Sequence, residues 1–474
     1  MAVQAGDFIK VSDDNWRFVH AATGEYFVPI GCNYFPSGIG WAPRVWEMFN
    51  PGVMEADFST MGGMGMNIIR VFLTMKSFMP EDGMVSPQAM EKCGKLLDMA
   101  GKHGIRVIYS GPSLWEGSPQ WASDILKEKN SYFVNDKILS NLANFWMEFG
   151  KAFSGRPELF SIDLQNEPYL EWDLSLHLDK WRNFLKEKYG SVAALNDAWR
   201  GSAAAVPGSW DGVAIPDDAN SLNDPAIWDY QLFRNKLSRG FTLTCVNAIR
   251  AHDDNHMISI GCHQGTVPFD GWTPSRYFVF DPHYIGDLLD YVSLHLYPFD
   301  ENMDLYASPE NYEKNMAMLQ ASLAYMDIGK PVVLEEYGLY GGGAPPKVWW
   351  RKPFDTYSQK QQADWTLESM DRTKGLCCGW LNWGLKDYAE SKDSTRYSGF
   401  FDDSGELKEM GRRFPAEAAA ARLWAQNNPK PAREARIDLD LKALVTDGAT
   451  AQAFKELAIS AFRNNPNTGI YVIR

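Results

Sequence analysis

Two segments of the chain place carboxylate side chains directly after short apolar runs. Asn166-Glu167 follows one such run, and Glu335-Glu336 follows another. Neighbouring side chains of a strand point to opposite faces, so one glutamate of the second segment has to point inward. Burying an acid is costly unless it is paired or used. A lone Glu-Pro can be an exposed turn, but the two segments together indicate a site built from two carboxyl groups.

Two carboxyl groups can cleave an acetal. One of them protonates the leaving oxygen, and the other attacks the anomeric carbon through an oxocarbenium-like transition state. When configuration is retained, the two groups lie about 5 to 5.5 Å apart. The first group needs a raised pKa, whereas the second needs cations and hydrogen-bond donors that keep it ionised.

The elements that would position these residues alternate between strands and helices. Eight short apolar runs predict buried strands at residues 27–33, 67–73, 105–110, 160–165, 257–261, 291–295, 332–334 and 379–382. Helix-period segments lie between them, with predicted starts at Ser86-Pro87, Asn135 and Ser308-Pro309. Eight such units favour an α/β fold, a (β/α)8 TIM barrel, over an open sheet, whose Gly-rich phosphate turn is missing. In that barrel, functional side chains lie at the C-terminal ends of the strands.

Three segments depart from the regular alternation of the barrel, which spans residues 27–425. Residues 1–26 predict a hairpin at the barrel floor. Residues 169–256 form a large insertion after the fourth strand, with two helix-like stretches, and we expect it to build part of a binding wall. Residues 426–474 form a C-terminal extension to which the sequence assigns no role.

The composition of the chain argues against several classes of partner and cofactor. The formal net charge of -14, from 60 acidic and 46 basic residues, gives a surface that repels nucleic acid. No stretch reaches the ~18 apolar residues of a membrane span. The first residues lack a signal-peptide pattern, so we expect a cytoplasmic protein, or a secreted or periplasmic one if a signal peptide was removed. The cysteines form no CxxC pair and no His/Cys group has ligand spacing, so we expect neither metal nor cofactor.

The motifs resemble glycoside hydrolase clan A, and most closely family 5, over roughly residues 27–410. The resemblance implies that Glu167 is the general acid/base and that Asn166 binds the sugar 2-hydroxyl. It implies that Glu336, which precedes an aromatic-Gly pair, is the nucleophile, with Glu335 in a structural role beside it.

Four further residues match the clan at other strand ends. Arg70 matches the strand-two arginine that keeps the nucleophile ionised, and Trp383 matches the platform under the −1 sugar. His295 and Tyr297 match residues that line the cleft. Taken alone, Arg70 could be an ordinary barrel ion pair, and His295 or Trp383 could be core residues. Their occurrence at the right strands and in the right order favours the site.

Other polar and aromatic residues are weaker candidates. Asn33, His263 and Asp387 follow strands one, five and eight and could reach the hydroxyls of the −1 sugar. Loop tryptophans could form subsite walls, and these are Trp115, Trp121, Trp172 and Trp210. The chain departs from family 5 after strand three, where many members have a His and this chain has Tyr109-Ser110-Gly111. Residues 189–199 also resemble an insertion of family 42 β-galactosidases.

The sequence thus predicts an O-glycosyl hydrolase that cleaves β-linked hexosides with retention, by double displacement. Long loops beside both glutamates favour an exo-acting enzyme of the β-mannosidase, β-glucosidase or β-galactosidase type. An endo-β-mannanase or glucanase, and a barrel that binds carbohydrate without cleaving it, stay open as alternatives. The expected partner is an oligosaccharide or glycoside, and a homo-oligomer is compatible with the sequence.

Overall fold

Strands and helices alternate through most of the described chain. The structure is a computed structural model that describes residues 2–36, 38–39, 42–128, 131–202, 204, 207–217, 224–270, 277–298, 305–343, 357–388 and 394–473. The strands are β1 (Ile9–Val11), β2 (Phe18–His20), β3 (Tyr26–Phe27), β4 (Ile30–Asn33), β5 (Ile68–Thr74), β6 (Arg106–Ser113), β7 (Leu159–Asn166), β8 (Met257–His263), β9 (Val292–Leu296), β10 (Val332–Tyr337), β11 (Trp380–Asn382), β12 (Ala435–Asp440) and β13 (Thr468–Ile473). The α-helices are α1 (Pro51–Gly63), α2 (Met75–Phe78), α3 (Pro87–Lys102), α4 (Ser131–Val134), α5 (Asp136–Phe153), α6 (Leu178–Tyr189), α7 (Val192–Ala198), α8 (Pro225–Arg250), α9 (Pro282–Ile285), α10 (Pro309–Met326), α11 (Gln359–Thr373), α12 (Glu409–Asn427), α13 (Leu441–Thr446) and α14 (Gly448–Asn464).

The eight strands β4 to β11 close into a parallel barrel. Each strand pairs with the next along the chain, and β11 pairs with β4 to complete the ring. All eight predicted strand runs are present in it. The predicted (β/α)8 barrel is therefore confirmed.

The N-terminal end of the barrel is filled by a small antiparallel sheet of β1, β2 and β3. Ile9, Phe18 and Phe27 from this sheet are buried together with side chains of the barrel strands. The ring of Phe18 lies 5.1 Å from that of Phe160 and 5.4 Å from that of Tyr291, both edge to face. This arrangement packs aromatic rings favourably. The floor is thus an apolar plug, and polar chemistry is left to the opposite end.

The helices begin where the sequence places capping residues. Ser86 and Ser308 accept hydrogen bonds from backbone amides in the first turns of α3 and α10, and Asn135 does the same for α5. Such caps satisfy backbone donors that lack a partner within the helix. The predicted helix starts are confirmed, and α5 buries one apolar face, which includes Ile138, Leu142 and Phe149.

The predicted insertion after the fourth barrel strand contains one element of the barrel itself. Helices α6 and α7 lie in it as expected, but the long α8 packs on α5 and leads into β8, as a barrel helix does. The added segment after β7, which contains α6 and α7 and which we call the excursion, therefore ends before residue 225, where Asp224 caps α8. Buried Asp229 on α8 holds the excursion, because it accepts hydrogen bonds from Lys188, Tyr189 and Trp199 at 2.5, 2.6 and 2.8 Å.

The C-terminal extension forms a compact layer on the outside of the barrel. Its strands β12 and β13 pair in parallel, and α14 packs on α10. Helix α13 contacts α8. The division of the chain into three parts stays a prediction. No helix among the described residues is long and apolar enough to cross a membrane.

Candidate active site

Arg70 on β5 is the centre of a polar network inside the barrel. Its guanidinium is fully buried and donates hydrogen bonds of 2.6 to 3.1 Å to Asn33, Ser110, Asp163, Asn166 and Glu336. Burial alone would lower the pKa of Arg70, but three neighbouring acids, Asp163, Glu335 and Glu336, raise it. The guanidinium is therefore a permanent positive charge at this position.

Glu336 lies at the end of β10 with donors on both carboxylate oxygens. Arg70 donates to its Oε2 at 3.1 Å, and the hydroxyl of Tyr297 donates to its Oε1 at 2.7 Å. The Nδ1 atom of His295 lies 3.3 Å from Oε2. The side chain is 5% exposed, so this carboxylate is fixed by its neighbours rather than by water.

Glu167 follows the last residue of β7 and faces Glu336. Its backbone has φ +45°, a left-handed conformation that is uncommon for a residue with a side chain. The side chain is 28% exposed, and its Oε1 lies 3.2 Å from Nδ1 of His295. The strained turn therefore aims a partly accessible carboxyl group into the barrel mouth.

One carboxylate oxygen each of Glu167 and Glu336 and one ring nitrogen of His295 lie within 4.8 Å of one another. Three such atoms could in principle hold a metal ion. Here the fixed charge of Arg70, bonded to Glu336, opposes a second cation. The donor set suits a substrate with a developing positive charge better than a bound metal.

The charges of the three groups depend on one another. Burial would raise the pKa of Glu167, but His263, His295 and Arg70 outweigh it and lower that pKa to about 2. Burial, with the charge of Glu167, raises the pKa of Glu336 to about 7 against the pull of His295, Arg70 and Tyr297. Burial would lower the pKa of His295, yet Glu336 and the other acids raise it to about 9. Between about pH 2 and pH 7 the pair of glutamates therefore holds one proton, which is lost as the pH rises through about 7.

Two buried acids below the pair support Arg70 and His295. Asp163 accepts from Nη2 of Arg70 at 2.6 Å and from the amide of Gly261 at 2.7 Å. Glu335 accepts from the hydroxyl of Tyr291 at 3.0 Å and lies 3.7 Å from Nε2 of His295. Glu335 thus has a structural position, as the resemblance implied. Asp163 was missed, although an acid inside an apolar run was a usable signal.

Asn33 and Asp387 do not take the positions that the sequence suggested. Asn33 is fully buried, donates to the backbone carbonyl of Glu335 and accepts from Arg70, both at 3.0 Å. Asp387 forms a buried ion pair with Lys408 at 3.0 Å and accepts from the amide of Gly399. Both side chains are committed to the protein, so their geometry favours structural roles over contacts with a sugar.

Aromatic side chains form one wall of the barrel mouth. The ring of Trp383 lies 5.2 Å from Phe35 and 5.9 Å from Phe72, and Phe72 lies 4.6 Å from Trp115. On the other side His263 stacks on Phe278 at 4.7 Å. Trp383 and Trp115 thus both contact Phe72, and His263 belongs to a second ring pair. A contact of each with a sugar stays a prediction.

The other loop tryptophans lie further out. The indole N–H groups of Trp121 and Trp172 donate to the carbonyls of Met79 and Pro216, both at 2.9 Å. Trp210 lies in a short 3-10 helix of the excursion. They brace loops, and a contact with sugar stays a prediction for each.

Glu116, next to Trp115, is a candidate that sequence reasoning passed over. Its Oε2 accepts hydrogen bonds from Thr74 and Ser77, both at 2.5 Å. Burial raises the pKa of this carboxyl group against those two hydrogen bonds. It occupies the loop after the third barrel strand, where the sequence lacks the histidine of many family 5 members.

A TIM barrel with two facing glutamates, a buried arginine and an aromatic wall at its mouth defines the class of glycoside hydrolases. The chain belongs to glycosyl hydrolase family 5, since the family profile described as cellulase matches residues 30–386. It is accordingly an O-glycosyl hydrolase of clan A, as the resemblance predicted. Retention of configuration is characteristic of this family.

Solved structures share the fold at low sequence identity. A GH5_18 protein of Streptomyces cattleya, crystallised with Manβ1-4GlcNAc, has a TM-score of 0.65 and 17% identity over 94% of each chain. The exo-β-1,4-mannosidase Op5Man5 of an Opitutaceae bacterium has a TM-score of 0.64 and 17% identity over 97% of this chain and 72% of its own. The β-galactosidase of Rahnella sp. R3 has a TM-score of 0.73 and 14% identity over 98% of this chain and 66% of its own.

Proposed function

We propose that this chain is a retaining, exo-acting β-glycosidase in which Glu167 is the general acid/base and Glu336 the nucleophile. The observation that carries the proposal is the short distance between the two carboxylates. One carboxylate oxygen of Glu167 and one of Glu336 lie within 4.8 Å of each other. Such a spacing suits direct attack on the sugar, because inverting enzymes keep their carboxyl groups about 6.5 to 9.5 Å apart to admit a water.

The hydrogen bonds of each glutamate support these roles, whereas the pKa values in the empty site are in the reverse order. Glu336 accepts from Arg70 and Tyr297, two donors that stabilise its ionised form when positive charge develops at the anomeric carbon. Glu167 is the more exposed of the two, and a leaving group that departs toward solvent can reach it. Asn166 accepts from Arg70 at 2.8 Å, and this turns its amide so that the N–H₂ group can donate to a sugar hydroxyl.

His295 provides a path for the proton between the two glutamates. In the empty site the proton of the pair resides on Glu336, whose pKa is the higher, whereas the first chemical step needs it on Glu167. The same Nδ1 atom of His295 lies 3.2 Å from Glu167 and 3.3 Å from Glu336. Protonated His295 can therefore give its proton to Glu167 and take the one on Glu336.

The reaction then proceeds in two displacements. Glu336 attacks the anomeric carbon as Glu167 donates a proton to the glycosidic oxygen, so the bond to the leaving alcohol breaks and a glycosyl ester forms. Glu167, now ionised, takes a proton from a water that attacks the same carbon. The ester bond breaks, Glu336 is released as a carboxylate, and Glu167 is protonated again.

The exo-acting part of the proposal rests on the loops around the mouth. The excursion with α6 and α7 is anchored to α8 by Asp229, which suits a fixed wall. Gly341-Gly342-Gly343 follows β10 on the opposite side, and the Trp349-Trp350 pair beyond it lies outside the described residues. Relatives of the same fold include a named exo-β-1,4-mannosidase and a β-galactosidase, so terminal β-mannosides and β-galactosides are the first substrates to test.

Rescue by azide tests the two roles. Glu336→Ala should lose activity by at least about 10⁴-fold on a 4-nitrophenyl β-glycoside, and azide should restore turnover with an α-linked azide product, because the small anion replaces the nucleophile. Glu167→Ala should instead give the β-linked azide, since its nucleophile is intact. The product anomers are read by NMR.

Glu335→Gln is the matched control, because it changes the neighbouring carboxylate. It should lower activity without any rescue by azide. The same azide anomer from Glu167→Ala and Glu336→Ala would refute the assignment. Full activity of Glu336→Ala would refute catalysis by this pair and leave a carbohydrate-binding barrel.

A further inference from the structure

A second cavity lies on the outer wall of the barrel, away from the catalytic pair. It has a volume of about 710 Å³ and lies between the first turns of α10 and the middle of α11 and α12. Its lining includes Tyr306, Tyr312, Glu313, Asp364, Glu368 and Arg413. We call this cavity the outer groove. A space of this size can accept a small ligand of two or three sugar rings.

The polar groups of the outer groove are held in fixed positions. The hydroxyl of Tyr312 donates to Glu368 at 2.6 Å, and Arg372 donates to Glu368 at 2.6 Å. Arg372 also forms a two-pronged pair with Glu313 at 2.6 and 2.7 Å. Such a network joins α10 to α11 and presents donors and acceptors in a fixed geometry.

Most acids that line the outer groove already bind basic side chains. Glu313 and Glu368 share Arg372, Asp364 is bonded to Arg413 at 2.7 Å and to Lys360, and Asp371 is paired with Lys374. A metal cation would have to displace these basic side chains, and an anion would be repelled by the carboxylates. An apolar ligand would bury them without compensation. A neutral ligand rich in hydroxyl groups matches both the fixed charges and the tyrosine rings.

We propose that the outer groove is a second binding site for a neutral saccharide, with Tyr312 as its aromatic platform. The hydroxyl bond to Glu368 fixes the ring of Tyr312, so the ring loses little conformational entropy when a sugar packs on it. The paired carboxylates and guanidinium groups then exchange hydrogen bonds with sugar hydroxyls. The site would retain an oligosaccharide beside the barrel mouth without taking part in cleavage.

Binding to a variant that cannot cleave separates this site from the catalytic one. The experiment titrates β-1,4-mannotetraose and cellotetraose into Glu336→Ala and counts binding events by calorimetry and by saturation-transfer NMR. We expect two events for at least one of the sugars. Adding Tyr312→Ala should weaken one of them at least tenfold and leave the other unchanged.

Matched variants guard against indirect effects. Tyr471→Ala removes a tyrosine that is 40% exposed on the C-terminal extension, and it should change neither event. Tyr312→Phe keeps the ring, so it should retain most of the affinity of the binding event that Tyr312→Ala weakens. This variant can be measured even if Tyr312→Ala proves unstable. A single event for both sugars, or two events that Tyr312→Ala and Tyr312→Phe leave unchanged, would overturn the proposal.

The catalytic assignment can fail without affecting this result. Tyr312→Ala in the otherwise unaltered chain should hydrolyse a 4-nitrophenyl β-glycoside at the normal rate, because that small substrate needs the barrel mouth alone. Loss of the second binding event with normal hydrolysis supports the outer groove. Azide results that exchange the roles of Glu167 and Glu336 would leave the binding count as it stands, because Glu336→Ala would still fail to cleave an unactivated tetraose.

Discussion

At the scale of single residues, the site depends on which groups share Arg70. This guanidinium bonds Glu336 and Asp163 and lies 3.7 Å from Glu335. Removing it would leave three buried acids without their common counter-ion, which costs stability as well as activity. Arg70 is therefore a poor probe of the nucleophile's pKa, whereas Tyr297 contacts Glu336 through one hydroxyl.

We predict that Tyr297→Phe moves the basic limb of the pH profile of kcat/KM to higher pH by about one unit. The hydroxyl of Tyr297 lowers the pKa of Glu336, which is about 7 with the hydroxyl in place. Without it the pKa rises further, so the pair of glutamates keeps the single proton that the first displacement needs on Glu167 up to a higher pH. Relative to its own maximum, the activity of the variant should therefore persist to a higher pH.

Tyr312→Phe is the control for this prediction, because it removes a tyrosine hydroxyl bonded to a carboxylate outside the barrel mouth. Its basic limb should not move. An unmoved limb in Tyr297→Phe would mean that ionisation of Glu336 does not set it.

At the scale of elements, the excursion after β7 is held by one buried carboxylate. Asp229 is 2% exposed and accepts hydrogen bonds from Lys188 and Tyr189 at the end of α6 and from Trp199, which follows α7. The indole N–H of Trp199 and the hydroxyl of Tyr189 have to find other acceptors when this carboxylate is removed. Lys188, which is 34% exposed, can return to water.

We predict that Asp229→Ala lowers the free energy of unfolding by about 2 to 4 kcal/mol, because it leaves buried donors unsatisfied. Urea titration measures this loss. Hydrogen exchange should speed up first in α6 and α7 and much less in the barrel strands.

Asp197→Ala is the control within the same excursion, since that side chain is 75% exposed and pairs with Arg200 three residues on. It should change stability by less than about 0.5 kcal/mol. Equal effects of the two variants would show that Asp229 does not anchor the excursion.

At the scale of the whole molecule, the barrel mouth decides how a chain of sugars can enter. The floor is filled by β1 to β3, the aromatic wall lies on the side of Trp383, and the excursion rises beside Glu167. A groove open at both ends would let a polysaccharide pass. Walls rooted beside the catalytic pair favour a pocket for one terminal sugar instead.

We predict that monosaccharide is the first and main product from a defined β-1,4-linked tetraose. A time course analysed by chromatography measures this, with mannotetraose and cellotetraose compared in parallel. If trisaccharide and monosaccharide appear first, the result supports a pocket for one terminal sugar. If disaccharide appears first without monosaccharide, the result contradicts such a pocket. A rapid fall in polysaccharide viscosity before reducing sugar accumulates would also contradict it.

The barrel and the two glutamates at its strand ends could be predicted from the amino-acid sequence. Strands in a parallel barrel are buried on both sides, so they appear as short apolar runs, and polar residues at their ends stand out. The helix starts were equally readable, because caps such as Ser86 and Ser308 act on backbone amides a few residues away. These features depend on neighbours along the chain.

Other features of the site depend on contacts across the barrel, between residues far apart in the sequence. Asp163 pairs with Arg70, 93 positions away along the chain, and Asp387 forms a buried ion pair with Lys408. The single nitrogen of His295 that joins Glu167 to Glu336 has no signature in any one segment. Helix α8 lies within the residues that the sequence assigns to the insertion, because periodicity alone does not tell a barrel helix from an added one. Partners of a buried charge are chosen by the closed ring of strands, and the chain order does not specify them.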